Sequence, residues 1–127
     1  MTGVVGIVLV SHSAALAAEA AALARQIAGP EAVVAAAGGT ADGELGTSLD
    51  LIEQAVAEAD GGAGVLLVPD LGSSVLTAKL LEEPGRVVLA DVPFVEGAIA
   101  AAVRAATGAE LAQVLAAAEE ARTYRKL

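Results

Sequence analysis

The chain has 127 residues and a formal net charge of −9; 56% of it is hydrophobic, only 2% is aromatic, and it has no cysteine and one histidine. That length predicts one domain, residues 1–127, with a core built from Ala, Val, Leu and Ile. Missing thiols exclude a disulfide framework or a thiolate metal site, and the acidity argues against nucleic acid, whose phosphates need clustered Lys and Arg. The basic residues are scattered, apart from Arg122, Arg125 and Lys126. No basic stretch precedes the first apolar run, so it does not read as a signal peptide. The apolar runs are of strand length, too short to span a bilayer. Cytoplasm is the expected compartment.

Residues 4–10 are a continuous Val, Ile and Leu run with one Gly, and predict a first strand. It ends in Ser11-His12-Ser13. Residues 13–28 are Ala-rich, with Leu16, Leu23 and Ile27 at helical spacings. Residues 32–37 give a shorter, weaker strand. A helix follows over 48–59, with Leu49, Ile52 and Val56 on one face. Gly46-Thr47-Ser48 before it, and Asp50 and Glu53 in its first turns, are N-terminal signals. Residues 64–68 repeat the first strand's pattern, and 72–81 form a helix opened by Ser73 and Ser74. A fourth strand covers 86–90, and helices cover 94–107 and 109–122, separated by Gly108. Pro93 suits the first turn of the former. Continuous apolar strands alternating with helices predict an α/β fold: an open, mainly parallel sheet with helices on both faces.

In such sheets ligands bind beyond the carboxyl ends of the strands, where strand order reverses. Three strand ends carry polar clusters: Ser11-His12-Ser13, Gly38-Gly39-Thr40 running on to Ser48, and Pro69-Asp70-Leu71-Gly72-Ser73. If the first and third strands are neighbours, His12 lies beside Asp70. A carboxylate accepting one ring N–H fixes the imidazole tautomer and leaves the other nitrogen as a nucleophile. Helix starts at Ser13, Thr47–Ser48 and Gly72–Ser73 offer backbone N–H donors to a phosphoryl group. Each feature has a plain structural role when taken singly: a loop histidine, an N-capped turn, a flexible connection. Their conjunction points to phosphoryl transfer.

Other chemistries are set aside. No Gly-x-x-x-x-Gly-Lys-[Ser/Thr] sequence is present, and no Gly-x-Gly-x-x-Gly follows the first strand. One histidine without cysteine does not make a typical zinc site, so no metal is expected. There is no Gly-x-Ser-x-Gly elbow for a hydrolase.

Val10-Ser11-His12-Ser13, Ala37-Gly38-Gly39-Thr40, Leu45-Gly46-Thr47-Ser48, Val68-Pro69-Asp70-Leu71-Gly72-Ser73 and Asp91-Val92-Pro93-Phe94-Val95-Glu96-Gly97-Ala98 together carry a resemblance across nearly the whole chain. The chain resembles the phosphotransfer subunits (DhaM) of bacterial phosphoenolpyruvate-dependent dihydroxyacetone kinases, relatives of the mannose-type IIA domains of the sugar phosphotransferase system. The resemblance implies a homodimer with strand order 2-1-3-4. It implies that His12 takes a phosphoryl group from HPr and passes it to ADP held in the DhaL subunit. The ATP so formed phosphorylates dihydroxyacetone on DhaK, and this chain needs no cofactor of its own. It further implies that Asp70 orients His12, and that Gly39, Thr40 and Ser73, with Ser13, line the phosphate site. Some family members continue into HPr-like and enzyme-I-like domains, whereas this chain stops at Leu127. Either separate proteins supply those functions or the chain is a fragment.

Three alternatives compete. Mannose-type IIA domains have similar local motifs and donate to a sugar-transport subunit. A receiver-like domain would be phosphorylated on Asp70, but receivers need an acidic pair where this chain has Ser11-His12, and a lysine near the last strand. A non-catalytic dimerisation module would use the last two Ala-rich helices as its interface.

Overall fold

In the computed structural model, which describes residues 3–127, four strands form one sheet in the order β2-β1-β3-β4, with every neighbouring pair parallel. The strands are β1 (Gly6–Ser11), β2 (Val33–Gly38), β3 (Val65–Pro69) and β4 (Val87–Leu89). The helices are α1 (Ala14–Ala28), α2 (Leu49–Ala59), α3 (Gly72–Ala78), α4 (Phe94–Ala106) and α5 (Leu111–Glu120). The expected class, strand order and element sequence all hold.

Every residue of β1 and β3 is buried. Alternate side chains of these central strands enter two separate cores, as a period of two requires. Ile7, Leu9, Leu66 and Val68 pack with the alanines of α1 and α4 and with Val114 and Ala118 of α5. Val8, Val10, Val65 and Leu67 pack with Ile52, Ala55 and Ala59 of α2 and with Ala78 of α3. Burial on both faces explains why these strands read as unbroken apolar runs.

Helix α1 shows how this composition is used. It buries Ala17, Ala20, Ala21 and Ala24, while Leu16, Leu23 and Ile27 are exposed. The leucines and isoleucine that mark helical spacing in the sequence therefore face outward. The alanines face the sheet because a side chain of one carbon lets the helix lie close to it, and α1 also packs against α4.

Boundaries differ where backbone chemistry intervenes. Ser13 is the N-cap of α1 and Ser48 that of α2, so each helix begins one residue later than expected. Residues 72–81 divide into α3 and a 3-10 turn, Lys79–Leu81. Pro93 is the N-cap of α4 rather than part of its first turn. A second 3-10 turn, Ala121–Thr123, completes the last helix. Among the described residues, no helix is long and apolar enough to cross a membrane.

The topology locates the crevice. The chain leaves β1 for β2 on one side and returns to β3 on the other, so strand order reverses at the carboxyl end of β1. Register aligns Ser11 with Gly38 and Val10 with Pro69. His12 and Asp70 thus emerge side by side.

Candidate functional site

His12 is held by a tight strand-to-helix turn. Ser11, the last residue of β1, is fully buried, and its hydroxyl accepts the backbone N–H of Ser13 at 3.0 Å. The Ser13 hydroxyl then caps α1 by accepting the Leu16 N–H at 3.2 Å. The end of β2 presses against this turn. A Cβ at Gly38 would lie 2.4 Å from the Ser13 carbonyl oxygen and 2.8 Å from the Ala14 Cα, both backbone atoms, so only glycine fits. On the other side the Gly46 N–H donates to the His12 carbonyl at 3.0 Å, tying the β2–α2 loop to the same residue.

Asp70 follows β3 and is the hub. Its Oδ2 accepts the Ser11 hydroxyl at 2.9 Å and the His12 backbone N–H at 3.0 Å. Its Oδ1 accepts the Leu71 N–H at 2.7 Å and lies 3.0 Å from the Ser74 hydroxyl and 3.0 Å from His12 Nδ1. The Ser74 hydroxyl also reaches the Leu71 carbonyl, at 2.8 Å, so its proton is shared between two acceptors. Burial pushes the Asp70 carboxyl up, but hydrogen bonds from the His12 backbone, Ser11, the His12 ring and Ser74 outweigh it and hold the group below its usual value. Asp70 is therefore an anion near neutral pH, and as an anion it can only accept. The proton between it and the imidazole belongs to Nδ1.

That tautomer leaves a lone pair on Nε2. Ser73 Oγ lies 2.6 Å from Nε2, so the serine hydroxyl donates to it. The result is a directed chain: Nδ1–H toward the carboxylate, Ser73 O–H toward Nε2. The His12 side chain is 24% exposed and that of Asp70 8%. The imidazole thus reaches solvent, whereas the carboxylate is nearly enclosed.

The other expected site residues make hydrogen bonds within the β2–α2 loop and to β1. Gly39 donates its N–H to the Ser11 carbonyl at 3.1 Å and has φ +72°, a conformation suited to glycine. Thr40 donates its N–H to the Glu44 carbonyl at 2.9 Å, and its hydroxyl accepts the Glu44 N–H at 3.2 Å. Both residues build the β2–α2 loop, and neither is hydrogen-bonded to His12, Asp70 or Ser73 among the described residues. The start of α2 is capped by its own serine, with the Ser48 hydroxyl accepting the Leu51 N–H at 3.3 Å. Thr47 reaches across to Thr77 of α3, hydroxyl to hydroxyl at 2.9 Å. By contrast, the start of α3 has no side-chain cap. Of the expected set, then, the structure brings His12, Asp70 and Ser73 into direct contact, with Ser13 one residue away.

Two contributors escape the sequence reading. Ser11 and Ser74 are the fully buried polar residues among those described, and both hydroxyls reach the Asp70 carboxylate. Ser11 looks like the last polar residue of a strand and Ser74 like part of a helix start. The available signal is that each occupies an otherwise apolar inward position of its element. No cluster of three or more His, Cys, Asp or Glu side chains suited to a metal occurs among the described residues.

Residues 6–115 match the EIIA-man family model, described as the PTS system fructose IIA component. A phosphoryl donor subunit, DhaM, of a PEP-dependent dihydroxyacetone kinase from Listeria innocua is 35% identical over 101 residues, covering 78% of this chain and 80% of that protein. The phosphotransferase subunit DhaM of the PTS-dependent dihydroxyacetone kinase of Lactococcus lactis is 35% identical over 106 residues, covering 82% and 85%. The Escherichia coli phosphoryl donor subunit DhaM is 33% identical over 120 residues, and the match spans only 25% of that longer protein. Among solved structures, the protein of unknown function EF1359 superposes with a TM-score of 0.80 at 36% identity, covering 93% of this chain and 95% of that one. A sigma-54 interaction domain protein from Enterococcus faecalis shares the fold, with a TM-score of 0.71 at 19% identity. By sequence and by fold, the chain is a DhaM-like member of the EIIA-man family of the phosphotransferase system.

Proposed function

We propose that this chain is a phosphohistidine carrier: His12 accepts a phosphoryl group from phosphorylated HPr and passes it to ADP bound in a DhaL-type subunit, for the phosphorylation of dihydroxyacetone on DhaK. The carrying observation is the polarised array Asp70–His12–Ser73, which fixes a lone pair on Nε2 of a partly exposed ring. The names of the DhaM relatives support a phosphoryl-donor role in a dihydroxyacetone kinase system; HPr as donor and DhaL-bound ADP as acceptor are what the family resemblance implies.

In the first step the Nε2 lone pair attacks phosphorus and a new N–P bond forms. The bond from phosphorus to the donor breaks, and its electron pair stays with the donor's leaving group. Nδ1 keeps its proton throughout, so the phosphorylated ring carries positive charge facing the Asp70 carboxylate at 3.0 Å. Ser73 releases Nε2 as the nitrogen bonds to phosphorus, and its hydroxyl turns to a phosphoryl oxygen. With α3 only seven residues long, this hydroxyl is a more specific donor than the helix dipole. Ser13 offers its hydroxyl proton from the other side, and Gly39 and Thr40 shape the adjoining wall. The second step is the reverse chemistry toward ADP, with Nε2 as the leaving group. Such transfer depends on positioning and charge more than on covalent machinery. The chain acts as one component of a phosphotransferase, in the cytoplasm and as a homodimer. The outward row Leu16, Leu23 and Ile27 of α1 supports self-association.

Incubation with phosphoenolpyruvate, enzyme I and HPr tests this. Label is expected on His12, lost in acid, kept in alkali, and absent from His12→Ala. Labelled chain mixed with ADP-loaded DhaL is expected to yield ATP. Label surviving in His12→Ala overturns the assignment, as does a hydroxylamine-sensitive label on Asp70. Transfer to a sugar-transport subunit but not to DhaL would reassign the acceptor.

A further inference from the structure

Four of the most exposed large apolar side chains lie on segments that meet at His12. They are Leu45 (80% exposed), Leu71 (60%), Leu76 (74%) and Leu80 (71%). Leu71 adjoins Asp70. Leu76 and Leu80 follow Ser73 at three and seven residues, which places all three on one side of the winding, opposite buried Ser74 and Ala78. At about 1.5 Å of rise per residue, the leucines sit roughly 5 and 10 Å along the axis from Ser73. Leu45 approaches from the β2–α2 loop, whose next residue, Gly46, is hydrogen-bonded to His12. Leucines so exposed are not needed for the core, and grouped ones mark an interaction surface.

Resting on the carrier reading of His12, we propose that Leu71, Leu76, Leu80 and Leu45 form the docking surface for the phosphoryl-donor protein. The donor must bring phosphorus within bonding reach of Nε2, and a protein partner covers roughly 800 Å² of surface. A patch of that area centred on His12 reaches about 16 Å out, which takes in Leu76 and Leu80. The neighbouring charges fix the partner's chemistry further. Asp42 and Glu44 are exposed beside Leu45, on a chain of net charge −9, and Lys79 lies in sequence between Leu76 of α3 and Leu80 of the following 3-10 turn. The surface therefore fits an apolar patch flanked by Lys or Arg. The apolar part supplies residence, and the charges steer encounter and respond to salt.

The test compares a protein donor with a small one. Phosphorylated HPr and phosphoramidate both deliver to His12, but only HPr needs a docking surface. Leu76→Asp/Leu80→Asp is expected to raise the KM for phosphorylated HPr at least tenfold and to leave labelling by phosphoramidate unchanged. Asp42→Lys/Glu44→Lys is expected to raise it less, with the difference vanishing at high salt. Unchanged kinetics with HPr in the leucine variant overturns the proposal. So does an equal loss with both donors, which places the damage at His12 itself. A changed oligomeric state, read by light scattering, assigns the leucines to a second copy of the chain and also overturns it. If the unmodified chain takes label from neither donor, the carrier reading fails first, and the docking surface falls with it.

Discussion

Replacing Asp70 by Asn removes a negative charge while keeping the shape, so it isolates what the carboxylate does for His12. At a charge separation of about 4 Å and an effective dielectric of about 20, the attraction between Asp70 and a positively charged ring is about 4 kcal/mol. At 1.36 kcal/mol per decade, that is about three orders of magnitude in rate. The hydrogen bonds add a second effect. With its amide nitrogen at the Oδ2 position, Asn would face the His12 backbone N–H; at the Oδ1 position it would face the Leu71 N–H. Either way one backbone donor loses its partner, at about 1–3 kcal/mol of stability. The second orientation also faces Nδ1 and favours the wrong tautomer. Asp70→Asn is therefore expected to slow phosphorylation of His12 by roughly 10²–10⁴-fold. The assay is single-turnover labelling from phosphorylated HPr, with circular dichroism to confirm the fold. A folded Asp70→Asn chain labelled within threefold of the unmodified rate would refute the orienting role.

Ser73→Ala removes the donor to Nε2 from an exposed position, and is expected to slow transfer by about 10–100-fold if the hydroxyl holds a charged phosphoryl oxygen, with thermal stability unchanged; a rate equal to the unmodified chain's would leave that hydroxyl without a part in transfer. Ser11→Ala and Ser74→Ala each take a donor from Asp70, so its carboxyl moves up, the acid limb of the pH–rate profile moves to higher pH, and stability falls by about 1–3 kcal/mol. Because folding depresses the Asp70 pKa, its ionised form stabilises the fold above the unfolded value of about 3.9, and that contribution disappears as pH falls through the lower folded value. Urea titrations should accordingly show a stability gap between unmodified chain and Asp70→Asn that is constant near neutrality and narrows below about pH 4. Gly38→Ala is expected to destabilise by about 1–3 kcal/mol, since its Cβ meets backbone at 2.4 Å, whereas Gly72→Ala has nothing within 4 Å and is expected to leave thermal stability near the unmodified value.

The architecture was legible because one physical constraint writes itself twice. A central parallel strand is buried at every position, and β1 and β3 are, with Ser11 at the end of β1 the one polar side chain among them. Alternation with helices then leaves few topologies. What the sequence hid was orientation within elements. In α1 the large apolar residues suggest the buried face, yet the alanines occupy it. Periodicity reports that a helix has sides; in an alanine-rich chain it does not say which side the sheet selects.

The site divides along the same line. His12 and Asp70 could be paired from sequence because parallel register brings the ends of adjacent strands together, and Ser73 is marked by the family resemblance. Ser11 and Ser74 could not be singled out, because their importance lies in burial and in the direction of a hydroxyl, neither of which a residue letter carries. Gly39 and Thr40 show the converse. Their letters fit a phosphate loop, but their N–H groups are engaged in holding the loop shut against β1 and Glu44. A backbone donor already satisfied within the fold contributes to a phosphoryl site only by shape, while the Thr40 hydroxyl, which accepts the Glu44 N–H, keeps its own proton. Charge stabilisation at His12 must then come from the groups whose hydrogen bonds can be redirected as phosphorus arrives, foremost the Ser73 hydroxyl, and from the fixed anion of Asp70 behind the ring. That division predicts separable losses: changes at Asp70 should slow transfer from every donor, whereas changes in the loop should act through the position of His12 and of whatever docks beside it.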